Sequence, residues 1–382
     1  MSRTGIAAQI GYALESSVGT VVTPTAFLPL VSESLVQDKQ RLESAGIIAG
    51  RRVLTSSQWN GGDVVVSGSV QHELYNRGLG KLFTAMFGAV ATTGAGPYTH
   101  TFTPGDLTGD ALTVQVGRPG VGGTVFPFTY AGMKVQSWEI ACAAGEIATL
   151  GLDLVGMREF DYRQVTDGVT TDTDKTVTSA TAVFSTDDVG KPISGTGIPS
   201  GTTIESFTSA TEVELSAAAT ATGTGITFTI GVALASASYP TSIKPLKFNH
   251  ASVTIGGTAV PVRSLTVSGN NMIDDSRRFL GSQYISEPLE MGLREYTGTI
   301  EIEFTDLTQY HRFVRGTEAA LVASFVSGAD SVTITTNARF DGSTPNVAGR
   351  EILTQSLPFK CVASSTDASA ITVALVNADA TP

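Results

Sequence analysis

Two stretches decide the fold of this 382-residue chain: VSGSVQHELYNRGLGKLF at Val66–Phe83 and YTGTIEIEFTDLTQYHRF at Tyr296–Phe313. They align without a gap at a constant offset of 230, placing Gly68 on Gly298, Glu73 on Glu303 and Phe83 on Phe313. Identity is low, yet each reads as a strand with one apolar and one polar face, followed by a short amphipathic helix. In the first, Val70, His72 and Leu74 share the inward face and Ser69, Gln71 and Glu73 the outward one. In the second, Ile300, Ile302 and Phe304 point inward and Thr299, Glu301 and Glu303 outward. Leu79, Leu82, Phe83 and Met86 of the first helix would cover the apolar side.

The surroundings repeat as well. FLPLVSESLVQD precedes the first copy and VPVRSLTVSGNNMID the second, each followed by a long irregular loop carrying AGIIAGRR or SRRFLGSQ. After the helices come LTVQVGR, KVQSWEIAC and IATLGLDLVG in one half, and SVTITTNARF, LTQSLPFKCV and ITVALVN in the other. VTIGGTAV at Val253–Val260 reads as a hairpin with a Gly-Gly turn. The chain is therefore expected to be all-β with minor α: two tandem β-sandwich or barrel domains made by internal duplication, each with one short helix.

Between the copies the composition shifts to Thr, Ser, Ala and Gly, without Trp or Tyr. Short alternating stretches such as TTIESF, EVELSA and ITFTI predict a small Ig-like β-sandwich, buried on Val177, Val183, Ile204, Phe207, Val213, Leu215, Ile226 and Phe228. The expected domains are 1–165, the insert 166–237, and 238–382. The insert carries two basic and eight acidic residues, a net −6 of the chain's −11. The acidity argues against general nucleic-acid binding, which needs a basic face to displace counterions.

No run approaches the roughly 18 apolar residues of a membrane span, and no secretory signal opens the sequence. The two cysteines, Cys142 and Cys361, read as free thiols in a reducing cytoplasm rather than as a disulfide framework. No nucleophile elbow, phosphate-binding loop or paired-Cys zinc spacing is present, and none of the four histidines has a ligand partner at metal spacing. His72 and His311 read as packing residues. Neither an enzyme nor a cofactor is expected.

With these residues in view, a resemblance becomes specific. GYALESSVGTVVTPTAFLPLVSESL, YTHTFTPGDLTGDALTVQVGRP, VFPFTYAGMKVQSWEIACAAGEIATLGLDL and RRFLGSQYISEPLEMGLREYTGTIEIEFTDLTQYHRFV resemble major tail tube proteins of long-tailed, non-contractile bacteriophages of actinobacterial hosts. The likeness covers nearly all of 1–165 and 240–382. The insert, with VGKPISGTGIPSGTTIESF, is similar to a module that recurs as a decoration domain in phage structural proteins. The resemblance implies stacked rings whose inner sheets line a channel for the viral double-stranded DNA, which passes without specific binding. It also implies contacts with other copies of the chain, a tape-measure protein and a tail terminator. If each chain supplies two copies of the fold, three chains make a pseudo-sixfold ring.

Under that expectation Gln71, Glu73, Thr299, Glu301 and Glu303 are the channel-lining candidates; facing plain solvent or an adjacent subunit is the alternative. The ring-stacking candidates lie in Arg41–Asn60 and Arg277–Glu295: Ile47, Ile48, Arg51, Arg52, Leu54, Trp59, Arg277, Arg278, Phe279, Leu280, Leu289 and Arg294. Their apolar members are unusual for loops and suit burial by another subunit, with an intrachain core as the alternative. Other virion components (a tail terminator or capsid decoration) and a surface carbohydrate-binding β protein are the competing readings.

Overall fold

The computed structural model describes residues 4–342, 344–347, 349–364 and 369–382. Its first half contains β1 (Gln9–Leu14), β2 (Val36–Glu43), β3 (Trp59–Glu73), α1 (Gly80–Phe87), β4 (Leu112–Pro119), β5 (Val125–Ala143) and β6 (Thr149–Gly156). The second contains β7 (Val262–Asn270), β8 (Glu295–Glu303), α2 (Thr308–Arg315), β9 (Glu318–Ser327), β10 (Asp330–Phe340), β11 (Thr354–Val362) and β12 (Ile371–Asn377). Shorter strands complete both halves.

Hydrogen bonding joins these strands in the order β2-β3-β6-β5 in the first half and β7-β8-β11-β10 in the second, all antiparallel. The two quartets are one surface. Ser137–Ala143 of β5 pairs with Ser264–Asn270 of β7, so eight strands run as a continuous sheet through the middle of the chain. At this joint Gly269 lies opposite Trp138, and the indole packs over the glycine backbone. A Cβ at 269 would sit 2.4 Å from Trp138 Cε2. Glycine is required there by close approach rather than by conformation.

The duplication is visible in the topology. β2, β3, α1, β4, β5 and β6 take the places that β7, β8, α2, β9, β10 and β11 take in the second half. β5 is long because it serves two layers: through Met133 it pairs with β4 in an outer sheet, and from Lys134 onward it pairs with β6. In the second half β10 pairs with β9 and β12 outside and reaches β11 with its last residues. The hairpin Gly88–Thr93/Tyr98–Pro104 leaves the first half and pairs with β12, locking the halves together. Gly256 and Gly257, both at positive φ, form the turn that the Gly-Gly dipeptide predicts.

The duplicated pattern sorts side chains as the alternation predicts. Val70, Leu74, Leu150, Leu152, Ile140, Val267, Ile300 and Leu357 lie in one hydrophobic core with Phe83, Phe87 and Met86 of α1. His72 is fully buried among them. The two helices differ, however. α1 is buried along almost its whole length, whereas α2 has no buried residue, and His311 faces solvent instead of packing. Phe304 is only half-buried, just beyond the end of β8.

The insert's sheet runs from Arg163–Thr170 to Gly223–Ile230, and its two ends meet at the Pro192–Thr203 bridge. Val177, Phe184, Ile204, Val213, Leu215 and Phe228 fill its core. Val183 does not: it is exposed, with φ at +49°, and this left-handed turn sends Phe184 inward in its place. Residues beyond Ile230 return along β4, where Gln115 bonds to Ala233 and Ala235.

The insert is anchored to the body. The Asp187 carboxylate accepts both Lys39 Nζ bonds at 2.9 Å, and Gln283 Nε2 reaches it at 3.3 Å. Arg158 donates to the backbone carbonyls of Asp187 and Val189 and stacks on the Tyr284 ring. Behind this contact the buried Asp188 is held by Arg163, Lys191 and Ser185, and these partners keep its carboxyl at about 2 against the cost of burial.

Candidate functional site

Because the eight strands are continuous, their outward residues form one polar face. Gln71, Gly151, Glu139, Ser268, Thr297 and Lys360 stand in a single cross-strand row. Glu73, Thr149, Ala141, Thr266, Thr299 and Pro358 form the next, and Ala143, Ser264, Glu301 and Ser356 a third. The five residues expected on one face, Gln71, Glu73, Thr299, Glu301 and Glu303, are thus brought onto the same surface, although they come from strands 230 residues apart in sequence. The surface is concave, with a groove of about 670 Å³ over Ser69, Gln71, Glu139, Asp153, Ser268 and Thr297.

Its charge is acidic. Glu73, Glu139, Asp153, Glu295, Glu301 and Glu303 lie on it. Two of its cations are paired, Arg263 with Glu303 at 2.7 Å and Lys360 with Glu295 at 2.5 Å, and Arg339 of β10 stands exposed beside Lys360. The Lys360 ammonium holds the Glu295 carboxyl below its ordinary range. Glu73, Glu139, Asp153 and Glu301 have no ion-pair partner among the described residues. Asp153 is fixed by the hydroxyls of Ser69 and Ser137, each donating at 2.6 Å from the strands on either side. Tyr75 donates to Glu73 at 3.0 Å, and burial together with that carboxylate pushes the phenol's pKa up.

Directly beneath this face His72 ties the sheet to the outer layer. One ring nitrogen lies 2.6 Å from Tyr12 Oη and the other 2.7 Å from the Pro29 carbonyl. Desolvation lowers its pKa to about 4, although the bond to Pro29 works the other way.

Glu139, Asp153, Ser137 and Ser268 were not singled out from sequence. The signal was there: in KVQSWEIAC and IATLGLDLVG, Glu139 and Asp153 alternate with Trp138, Ile140, Leu152 and Leu154. What the alternation lacks is the pairing that puts these strands beside β3 and β7.

The proposed loops lie together at one end of the sheet. Arg41–Asn60 is not wholly irregular: β2 continues to Glu43 and β3 begins at Trp59, so the segment is a long hairpin with a loop only at its tip. Ile47, Ile48, Leu54, Trp59, Phe279 and Leu280 are exposed in the single chain, Ile47 by 97%. Arg51 and Arg52 are exposed beside them. Four others are engaged within the chain. Arg294 binds Glu290 and the carbonyls of Phe87 and Gly105, and is therefore an internal staple rather than a free cation. Arg277 donates to the Glu287 carbonyl, Arg278 lies 3.4 Å from Asp63, and Leu289 is half-buried, paired with Asp274.

A large polar sheet face and exposed apolar loops on a duplicated β scaffold define a class: a structural protein whose working surfaces are sheet faces and loops. The family model for phage tail tube protein matches residues 5–208 and again 193–361, so both halves carry it, and the chain belongs to that family. No curated protein matches the chain significantly. Among the described residues no group of three metal-ligating side chains occurs, and no helix is long and apolar enough to cross a membrane.

Proposed function

We propose that this chain polymerises into stacked rings that form the tube of a non-contractile phage tail of the actinobacteriophage type, with the eight-stranded sheet facing the lumen. The observation that carries the reading is the β5–β7 joint, which makes two tube-type sheets one continuous acidic surface. Three chains of eight strands give 24; at about 4.8 Å spacing and a tilt near 40°, the backbone diameter is about 45–50 Å. That leaves room for a DNA duplex after side chains are added.

A lining rich in Glu139, Asp153, Glu73 and Glu301 repels phosphates, so DNA slides instead of sticking. The tape-measure protein would occupy the same lumen during assembly and a terminator would cap the final ring. The insert, whose exit segment runs along the outer-layer strand β4, would decorate the exterior. Negative-stain electron microscopy with light scattering on the purified protein tests the reading. Rings and tubes are expected, and compact monomers under every condition would contradict it.

A further inference from the structure

The two halves fill the space beneath their helices differently. At the offset of 230, Leu79 and Leu82 of α1 correspond to Gln309 and Arg312 of α2. Leu150 pairs with His72 in the first half as Gln355 pairs with Ile302 in the second, so Gln355 takes the place of Leu150. The three leucines are fully buried in the hydrophobic core. Their polar counterparts instead line a cavity of about 300 Å³ between α2 and the hairpin of Ala251–Ile255 and Thr258–Ala259. Gln355 is only 4% exposed, yet its Oε1 has no hydrogen-bond partner among the described residues, and neither have the buried Gln309 Oε1 and Arg312 Nη1. Arg312 lies against the hairpin turn, where a Cβ added at Gly256 would meet its Nη2 at 2.8 Å. Of the acidic residues around the cavity, Glu303 is paired with Arg263 and Asp306 accepts from the Thr308 amide at 2.7 Å. The Arg312 guanidinium is the charge left without a partner among the described residues.

We infer that this cavity receives a carboxylate side chain from a second copy of the chain, its neighbour in the ring. Buried polar atoms are costly to leave unbonded, and a carboxylate completes all three at once. Arg312 offers planar N–H donors and each Gln amide can turn its NH2 inward, so the trio can surround one carboxylate with donors. The source follows from where the cavity lies. α1 sits at the joint between the halves: Asn271 and Arg294 of the second half donate to its Met86 and Phe87 carbonyls, and the Asp379 carboxylate accepts from Gly78 just ahead of it at 3.1 Å. α2 holds the equivalent position at the open end of the sheet. There β10 pairs with β11 only from Phe359 onward, and residues 354–357 have no strand on their outer side among the described residues. In a ring the next chain stands at that end. The inference rests on the ring reading and adds the residues at the seam.

Copying the first half's core into the second tests it. Gln309→Leu, Arg312→Leu and Gln355→Leu combined should leave the chain at least as stable as the parent. The same variant should raise by about ten-fold or more the protein concentration at which rings appear. Arg312→Gln, which keeps the site polar, should weaken ring formation in the same direction. Acetate, compared with chloride at equal ionic strength, should raise the melting temperature of the dissociated parent but not of Arg312→Gln. An Arg312→Gln protein that forms rings at the parent's concentration, or a parent indifferent to acetate, would overturn the carboxylate site while leaving the rings intact. A parent that forms no rings would overturn the ring reading, and with it the second copy as the source; the acetate shift then decides the cavity by itself.

Discussion

His72 offers a quantitative test of how the polar face is held. Its imidazole is buried between Tyr12 and Pro29, and its pKa falls from an ordinary 6.5 to about 4. The unfolded chain therefore binds a proton between pH 6.5 and 4 that the folded chain does not, so stability falls as the solution is acidified through that window. The displacement is worth roughly 3 kcal/mol at 1.36 kcal/mol per pH unit. Carboxylates elsewhere add their own pH dependence, so the informative quantity is a difference between two proteins. His72→Gln keeps a polar side chain against Tyr12 and Pro29 but cannot titrate.

Urea unfolding of the parent and of His72→Gln should be compared at half-unit steps from pH 7 to 4. The variant should be the less stable at pH 7, because its fit is poorer. The gap should close by about 3 kcal/mol on acidification, most of it below pH 6. Parallel stability curves across this range would refute the argument that burial keeps His72 neutral.

Three further outcomes follow from named contacts. Gly269→Ala should destabilise the chain by about 1–3 kcal/mol in thermal or urea unfolding, because its Cβ would meet Trp138 at the joint between the halves. Glu139→Lys with Asp153→Lys should leave assembly intact but make tubes retain duplex DNA at low salt, with affinity falling steeply as salt rises; release indistinguishable from the parent would count against a lumen-facing position. Asp187→Ala removes a half-exposed pair with Lys39 of about 0.5–1 kcal/mol. Trypsin cleavage at Arg51–Arg52 should then speed up several-fold, since the insert grips the stem of that hairpin, and an unchanged rate would show that it does not.

Much of this fold was legible in the sequence because it rests on local periodicity. Alternation in SGSVQHEL and TGTIEIEF separated the core residues Val70 and Ile300 from the polar face residues Gln71 and Glu301, and the gap-free offset revealed the duplication. What stayed hidden depends on contacts between distant segments. Nothing in KVQSWEIAC says that its free edge meets VRSLTVSGN, yet that pairing merges the halves and brings Glu139 into line with Ser268 and Thr297. Arg294 looked like a free loop cation because the carbonyls it caps, on Phe87 and Gly105, lie about 200 residues away in sequence. Val183 exchanged places with Phe184 because one positive φ shifts the inward register, and alternation alone does not encode that.

The most direct measurement is a cryo-electron microscopy map of the assembled tube. The account predicts threefold rings in which each chain contributes eight adjacent strands, with Glu139 and Asp153 pointing into the lumen. Rings of six chains, or a lumen lined by any other face of the sheet, would contradict it.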